Sequence, residues 1–513
     1  MERLLLVKSI AWAVCCISTV LLGIRGYVGS GRPPEHRSAF RWVARVNGGY
    51  QDPYLVVLPD GDVIWGGWDG GTFRTGTDAW LARISARGEV RWQRVIQSLY
   101  RDQVTGLARF PNGDILVTLV LSADLTARRY TTVWYMRMTP DGMSRWAYIP
   151  DFWGPDFRIL DIVTAPDGTW YGIATFWPRI GGSPQIAVGR WSGMGHVIWL
   201  KHLRFGSPIH WGESIDRSPS GDLFITGTTC ARVAGFRDCD LFVARLTPTG
   251  HVRWMHRLIF GWLSGVEVIR ATPDDGAVLL GSVYLPGFEF RKPVIVKFDA
   301  AGHIEWARFV RNVQQGFGDA LISLPNGGFL VVVTDLYSDD LWAVMLRLSA
   351  RGELLWARKV LPADDRFALF RFALLRNTLY IVGETFVFSN DSTQNTWLIR
   401  TDLQSLLRNR CRILRRVYPE IDDVRIRVRS IPVTAVPLRI QFVPYFPIIR
   451  DLPYDLGFAT VCKWYTPPHA VLRKPQSLLP QLNGLFPATA GTFRDISRIT
   501  ACGDSRGPQA VPE

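Results

Sequence analysis

The chain contains 513 residues, of which 47% are hydrophobic and 21 are tryptophan, so there is ample apolar material for a buried core. This composition excludes a disordered or low-complexity chain. The formal net charge is +14, but no basic run is interleaved with aromatic residues, so we expect no nucleic-acid partner. Arginines at strand positions such as Arg83, Arg245 and Arg347 are expected to form a solvated outer face.

Residues 1–30 are predicted to be a targeting segment. Arg3 and Lys8 flank the start of an uncharged apolar run over residues 9–24, and Arg25 follows the run. The run is intermediate in length between a signal-peptide core and a full membrane span. Two alternatives therefore stay open, namely cleavage after Ser30 or an uncleaved membrane anchor. Both predict an exported protein.

A hairpin pattern recurs between residue 40 and about residue 400. Its fullest copy is Asp240–Trp254 (DLFVARLTPTGHVRW), an apolar strand, a glycine turn and a second strand that closes on tryptophan. The closing tryptophans follow one another at steps of 50 to 55 residues and are Trp42, Trp92, Trp146, Trp199, Trp254, Trp306 and Trp356. A second landmark, a turn of the type Pro59-Asp60-Gly61, keeps the same step. A period near 50 with two tight turns per unit predicts four short strands, which is a propeller blade.

The repeats predict an all-β, seven-bladed propeller of four-stranded antiparallel blades over residues 31–402. The seventh unit lacks a tryptophan strand, whereas Phe40–Val46 is a spare one, so we expect this N-terminal strand to close the ring. The closing tryptophans are expected to pack between neighbouring blades. Residues 403–470 are predicted to form a small β-rich appendage, with a hairpin over 423–433 and 436–443. Residues 471–513 are expected to be an irregular tail.

The repeat unit of apolar run, arginine, Gly-x-x-x-Trp and Pro-Asp-Gly turn resembles the exported β-propeller repeats of bacteria and archaea. It is also similar to the looser quinoprotein repeat, and the match covers roughly residues 40–400. The resemblance implies a propeller with a binding or scaffolding role. A quinoprotein dehydrogenase needs vicinal cysteines beneath its cofactor, but Cys15 and Cys16 lie in the targeting segment. We therefore expect no cofactor.

Cysteine positions agree with export. Cys230 and Cys239 lie in one loop between two predicted strands, where a disulfide would pin the loop; the alternative is two free thiols. The remaining cysteines, Cys411, Cys462 and Cys502, leave one without a partner, and the sequence does not say which.

The predicted topology separates two faces of the ring. The short Pro-Asp-Gly and glycine turns lie on one face (the turn face), and the longer connections lie on the other (the long-loop face), where function usually sits. Candidate ligand-binding residues on the long-loop face are Tyr50, Asp52, Tyr100, Arg101, Asp102, Trp153, Asp156, Phe157, Trp177, Trp211, Trp262 and Asp319. The alternative is that these side chains pack the loops together. An acid also recurs near the start of the innermost strand, where it either caps a turn or rings the central channel, at Asp52, Asp102, Glu213, Glu267, Asp319 and Asp365.

Enzyme signatures are missing from the sequence. His196, His251 and His303 occupy one turn position in separate blades, so no metal site is expected. There is no phosphate-binding loop and no nucleophile elbow. The sequence therefore favours an exported, non-enzymatic propeller that binds a protein or glycan partner. The alternative is a propeller enzyme acting on a saccharide or small alcohol.

Overall fold

The structure is a computed structural model, and some strand residues are described by their backbone alone. It describes residues 40–463 except 48–49, 70–77, 98–100, 126–127, 151–155, 179–181, 207–208, 234–235, 261–264, 286, 312, 314–315, 326, 336–341, 361–365, 387–394, 403–413, 417–420, 424–426, 431–433, 438–441, 445–447 and 452–458. All described residues belong to one compact unit and contain no helix. The predicted targeting segment, residues 1–30, and the predicted tail, residues 471–513, lie outside them.

The described strands form a ring of seven sheets, and blades 1 to 6 each take four consecutive strands from the innermost to the outer one. The N-terminal strand is β1 (Phe40–Asn47). Blades 1 to 3 consist of β2 (Tyr50–Val57), β3 (Val63–Asp69), β4 (Ala79–Ile84) and β5 (Val90–Gln97); β6 (Arg101–Arg109), β7 (Ile115–Leu125), β8 (Arg128–Met138) and β9 (Ser144–Pro150); and β10 (Asp156–Thr164), β11 (Trp170–Trp177), β12 (Gln185–Trp191) and β13 (Val197–Arg204).

Blades 4 to 6 repeat this arrangement. They consist of β14 (Ile209–Arg217), β15 (Leu223–Val233), β16 (Phe236–Leu246) and β17 (Val252–Ile259); β18 (Gly265–Ala271), β19 (Ala277–Val283), β20 (Lys292–Phe298) and β21 (Ile304–Val310); and β22 (Gly316–Ser323), β23 (Phe329–Asp335), β24 (Trp342–Leu348) and β25 (Leu354–Val360). Blade 7 contributes three strands of its own, β26 (Arg366–Leu375), β27 (Thr378–Phe386) and β28 (Asn395–Asp402). The predicted seven-bladed, four-stranded antiparallel propeller is confirmed.

The N-terminal strand closes the ring as predicted. β1 pairs antiparallel with β28, from Phe40 opposite Thr401 to Asn47 opposite Asn395. Blade 7 therefore combines strands from both ends of the repeat region. The pairing removes the open sheet edge that β28 would otherwise present.

The C-terminal segment has a topology that the sequence did not predict. It supplies seven further strands: β29 (Leu414–Arg416), β30 (Ile421–Asp423), β31 (Arg427–Ser430), β32 (Thr434–Pro437), β33 (Phe442–Pro444), β34 (Ile448–Asp451) and β35 (Ala459–Lys463). Each pairs antiparallel with the outer strand of a different blade, in the order blade 6, 5, 4, 3, 2, 1 and 7. Every sheet thereby gains a fifth strand, and the segment runs round the rim against the chain order of the blades.

The hairpin expected within residues 423–443 is wrong. β31 pairs with β17 of blade 4 and β32 pairs with β13 of blade 3, so the two strands lie in separate sheets. An alternating pattern indicates a strand with one covered face. A hairpin and two strands added to separate blades give the same pattern, so the pattern does not identify the partner.

The hydrophobic core is divided into layers between adjacent blades. One cluster joins Ile64 and Leu81 of blade 1 to Val117 and Met136 of blade 2. Another joins Val382 and other residues of blade 7 to blade 1, across the ring closure. Because each blade buries both faces against its neighbours, most strands are apolar on both sides.

The closing tryptophans lie in these inter-blade layers. Most of those whose side chains are described are half-buried rather than fully buried. The indole N–H of Trp92 donates to the Pro140 carbonyl at 2.9 Å, and that of Trp254 donates to the Ala300 carbonyl at 3.1 Å. In both pairs the acceptor belongs to the glycine turn of the next blade. Trp146, Trp199 and Trp306 make the equivalent bond, Trp356 packs in the layer between blades 6 and 7, and the side chain of Trp42 is not described.

The expectation that the strand arginines are solvated is wrong. Arg245 is 6% exposed, because its guanidinium pairs with Asp222 of its own blade and donates to the Ala300 carbonyl of the next. Arg83 makes the same two kinds of contact, with Asp62 and with Pro140. Arg347 is half-buried and donates to backbone carbonyls. These three arginines therefore stabilise the ends of the blades from within instead of forming a solvated face.

Candidate functional site

Two hairpins extend the long-loop face at blades 2 and 4. Strands β7, β8, β15 and β16 have 11 residues each, and each hairpin is closed by a two-residue connection. On blade 4 the innermost strand begins at Ile209, opposite Cys230. Beyond this pair the hairpin continues by three residue pairs, to Val233 opposite Phe236. At about 3.3 Å per residue this extension is roughly 10 Å. Blade 3 lies between the two extended hairpins.

The predicted disulfide is present at the base of the blade 4 hairpin. Cys230 and Cys239 are register partners and are joined by a disulfide that spans 9 positions of sequence. Trp211, a predicted ligand-binding residue, packs with Ile209 against this disulfide. The bond fixes the register of the extended hairpin, and it is consistent with an oxidising compartment.

Ten of the predicted site residues fall into three groups: those outside the described residues, those described by backbone alone, and those that are fully buried. Tyr100, Trp153, Trp262 and Asp365 lie outside the described residues, and only the backbone is described for Tyr50, Asp52, Arg101 and Asp319. Phe157 and Asp102 are fully buried. Phe157 packs in the layer between blades 2 and 3, and Asp102 accepts a hydrogen bond from the Trp134 indole at 3.3 Å. Both side chains are fully buried in this structure, which favours the packing alternative for these two residues.

Blade 3 brings two of the predicted residues together. Asp156 and Trp177 are direct register partners at the long-loop end of β10 and β11. Arg158 lies two residues after Asp156, and its guanidinium carbon is 4.8 Å from the centre of the Trp177 ring. The guanidinium also lies 3.8 Å from the Asp156 carboxylate. We call Asp156, Arg158 and Trp177 the blade 3 triad.

The triad is incompletely paired. Asp156 Oδ1 and Arg158 Nε are buried and have no hydrogen-bond partner in the described part of the protein. Burial raises the pKa of Asp156 to about 6, against the opposing effects of the Arg158 charge and the Phe157 backbone N–H. Buried polar groups are normally satisfied, and unsatisfied ones with perturbed pKa values concentrate at functional sites.

The opposite face of blade 3 provides a contrast. There Asp167, Arg190 and Tyr171 form a second acid–arginine–aromatic group, with the Arg190 guanidinium carbon 5.3 Å from the Tyr171 ring centre. The Asp167 carboxylate accepts from Thr169 at 2.7 Å and from Arg190 at 2.5 Å. Although burial opposes it, these hydrogen bonds lower the pKa of Asp167. The same residue types are thus satisfied on the turn face and unsatisfied on the long-loop face.

Four of the six recurring acids of the innermost strands lie at a β-bulge. The register of β14 skips Glu213, that of β18 skips Glu267, and that of β22 skips Asp319. In blade 1 the register of β2 shifts across Asp52. A bulged residue is unpaired in the ladder and locally redirects the strand, so these acids share one structural position. Asp102 does not share it, since it is paired in the regular part of β6.

Glu213 is the bulge acid whose side chain is described. It is half-buried, and burial raises its pKa to about 7. Nearby, the Asp161 carboxylate of blade 3 accepts from Ser214 Oγ at 2.6 Å and from the Ile215 N–H at 3.0 Å, both in blade 4. Burial also raises the pKa of Asp216. The innermost strands of blades 3 and 4 therefore carry two carboxyl groups, Asp156 and Glu213, whose pKa values burial raises to about 6 and about 7.

Arg158 and the bulge were not among the residues predicted from the sequence. Arg158 was detectable, because residues two apart on a strand share a face and Asp156 was already a candidate. The bulge gave no sequence signal of its own, since it depends on pairing with the next strand. Among the described residues there is no group of three potential metal ligands and no helix long and apolar enough to span a membrane.

Comparison with known proteins adds little beyond the fold. No protein-family model matches the chain, and no curated protein matches its sequence. A protein of unknown function from Dyadobacter fermentans is 11% identical with a TM-score of 0.43, and the match covers 71% of this chain and 99% of that one. An α-L-arabinanase from Penicillium chrysogenum is 10% identical with a TM-score of 0.37, covering 70% and 98%. The Trypanosoma rangeli sialidase is 11% identical with a TM-score of 0.39, covering 63% and 57%.

Similarity at this level carries no argument about activity. The resemblance to a particular repeat family accordingly stays a prediction, whereas the propeller arrangement itself is established by the strand pairing.

Proposed function

We propose that this protein is exported and acts as a non-enzymatic binding or scaffold module, which holds a protein or glycan partner at its long-loop face. The blade 3 triad is the proposed contact. The observation that carries the proposal is the contrast within blade 3: Asp156 has an unsatisfied buried oxygen and a raised pKa, whereas Asp167 on the turn face is fully hydrogen-bonded. The Asp156 side chain is 24% exposed, so a partner that donates a hydrogen bond to its carboxylate would recover free energy that the isolated protein forgoes.

Export is supported by the disulfide and by the N-terminal apolar run. The Cys230–Cys239 bond persists in oxidising compartments such as the periplasm or the extracellular space. Sequencing the N-terminus of the mature protein distinguishes removal of residues 1–30 from their retention as a membrane tether. Export can be tested with a reporter that is fused behind the N-terminal segment and is active only outside the cytoplasm. An inactive reporter would contradict export.

A binding screen tests the module directly. The purified protein should bind a member of a glycan array or a panel of surface proteins, and Asp156→Asn and Arg158→Ala should each weaken that binding at least about tenfold. Arg190→Ala is the matched control, because it removes the arginine of the satisfied group on the opposite face of the same blade. Equal loss in the control and triad variants would argue against a site on the long-loop face.

A second candidate is a propeller enzyme acting on a saccharide or small alcohol. It is supported by the raised pKa values of Asp156 and Glu213, about 6 and about 7, because a carboxyl group protonated near neutral pH can act as a general acid. Turnover that is abolished in both Asp156→Asn and Glu213→Gln would favour the enzyme. Binding without turnover of the bound glycan would favour the module.

A further inference from the structure

The ring-closing strand is held on both of its sides. β1 pairs with β28 along its whole length, and on its other edge it pairs with β35, with Trp42 opposite Lys463, Val43 opposite Cys462 and Arg45 opposite Ala459. The sheet order of blade 7 is β26-β27-β28-β1-β35. An N-terminal strand that would otherwise lie at a sheet edge therefore lies inside a sheet, and the strand that covers it is the last of the C-terminal segment.

The C-terminal segment holds the ring through many short contacts. Its strands have three to five residues each, so each adds only a few backbone hydrogen bonds. A three-residue strand pair is weak by itself. Binding of the whole segment depends on the tether to β28 and on the high effective concentration that each docked strand gives to the next.

The order of docking determines where release begins. β29, the strand nearest in sequence to Asp402, docks on blade 6, and β35 docks last after the segment has passed five other blades. β35 is the last strand of the segment, so it can detach without displacing another docked strand, whereas every earlier strand has docked strands after it. β35 is also the strand that covers β1.

The segment also covers edges that would be hazardous if open. Without it the fourth strand of each blade would present unpaired N–H and C=O groups, which template pairing with other chains. Two of its strands end on Pro437 and Pro444. Proline lacks the N–H needed to continue a ladder and is confined to edge strands, so these strands end the sheets rather than extend them.

We propose that residues 414–463 form a releasable clasp, in which β35 retains the ring-closing strand β1 and release of the clasp opens blade 7 before any other blade. This inference is independent of the proposed binding function. A protease or a competing strand that acts on the C-terminal segment would then control whether the ring is locked.

The first experiment tests, in the full chain, whether β35 pairs with β1. Val43→Cys introduces a thiol opposite the native Cys462, and mild oxidation should join the two in a disulfide that peptide mapping identifies. Ala44→Cys is the matched control, because its register partner is Thr460 and successive residues of a strand face opposite sides. Absence of a cross-linked peptide between position 43 and Cys462 in the Val43→Cys protein, or an equal yield of cross-linked peptide in the control, would overturn the proposed register.

The second experiment tests the release. A protease site inserted within residues 403–413 is cut after folding, and mild denaturant is added to displace the clasp. Amide protection over residues 40–47 should fall at least about tenfold, while protection over β15 stays unchanged. The oxidised Val43→Cys protein, cut in the same way, should keep its protection. Unchanged protection of residues 40–47 after release, or loss in all blades together, would refute the clasp.

Discussion

Arg245 provides the sharpest test of how neighbouring blades are joined. Its guanidinium donates to Asp222 at 2.7 Å, to the Ala300 carbonyl of the next blade at 2.8 Å, and also to Asp275 of that blade. Breaking a buried ion pair by removing one partner usually costs about 3–5 kcal/mol. Here each acceptor retains another donor: Arg253 for Asp222, Trp254 for Ala300 and the Ser220 N–H for Asp275. We therefore expect Arg245→Ala to cost about 3 kcal/mol, the lower end of that range.

The matched control is Arg190→Ala. Arg190 occupies the same strand position in blade 3, but its side-chain hydrogen bonds go to Asp167 and Thr169 of its own blade. Loss of this more exposed pair should cost no more than about 1 kcal/mol. Urea unfolding followed by tryptophan fluorescence and by circular dichroism measures both variants, and coincident transitions justify two-state treatment. Equal costs for Arg245→Ala and Arg190→Ala would refute the inter-blade role of Arg245.

A double-mutant cycle tests the shared acceptor. Trp254→Phe removes the indole donor to Ala300 and part of the ring that contacts Phe224 and His256, and it should cost at least about 1 kcal/mol on its own. In the Arg245→Ala background the Ala300 carbonyl loses both donors, so the same change should cost about 1 kcal/mol more. Additive effects within about 0.3 kcal/mol would show that the two donors do not depend on the same acceptor.

Three further outcomes are expected. Burial raises the pKa of Glu213 from 4.5 to about 7, so the folded state loses stability as pH rises from about 4.5 to about 7. Glu213→Gln should therefore raise the melting temperature at pH 8 and leave it unchanged at pH 4. Gly250 and Gly168 both have positive φ, but a Cβ at Gly250 would lie 2.9 Å from a tryptophan ring and one at Gly168 would meet nothing within 4 Å. Gly168→Ala should thus cost about 1 kcal/mol and Gly250→Ala clearly more, by urea unfolding. Replacing Cys230 and Cys239 by serine should cost roughly 2–3 kcal/mol, and dithiothreitol should lower the melting temperature of the parent to that of the variant.

The blades were predictable because their information is local and repeated. Most turns that need a positive φ carry glycine, such as Gly221 with φ of 95°, whereas the blade 7 turn has Arg376 with φ of 56°. The spacing of turns and tryptophans then fixes four strands per unit. Ring closure followed from counting strands, since one unit lacked an outer strand and one outer strand was spare.

The C-terminal topology was not predictable from the same signals. Its strands are too short to show a clear period of two, and their partners lie in six other blades as well as in blade 7. Prolines recur between them, at Pro419, Pro432 and Pro453 for example, but proline marks an interruption and does not identify a partner.

The candidate site was predictable in part, and the position of the bulge explains the difference. Asp156 and Asp102 both lie near the start of an innermost strand, and in each strand the register skips one residue further along, Leu160 in β10 and Thr105 in β6. Asp156 is separated from the skipped residue by an even number of positions and Asp102 by an odd number. Relative to the bulged residue of its own strand, the two acids therefore occupy opposite positions in the alternation of side chains. Because side chains alternate along a strand, the bulge position, which sequence does not reveal, affects which early acid is fully buried, as Asp102 is, and which stays partly exposed, as Asp156 does.

The pKa values show how the fold distributes its carboxyl groups. On the turn face, Asp275 is partly desolvated by burial, yet hydrogen bonds from Ser220 and Arg245 lower its pKa to about 2. On the innermost strands, burial acts on Asp156 and Glu213 with too few donors to offset it, and both pKa values rise. Arginine is abundant enough to supply further partners, so the innermost strands forgo stabilisation that the turn face receives. A ligand with hydrogen-bond donors would gain most where these carboxyl groups lack them, which favours the innermost strands of blades 3 and 4, where Asp156 and Arg158 of the blade 3 triad lie, over the turn face as the place where a partner binds.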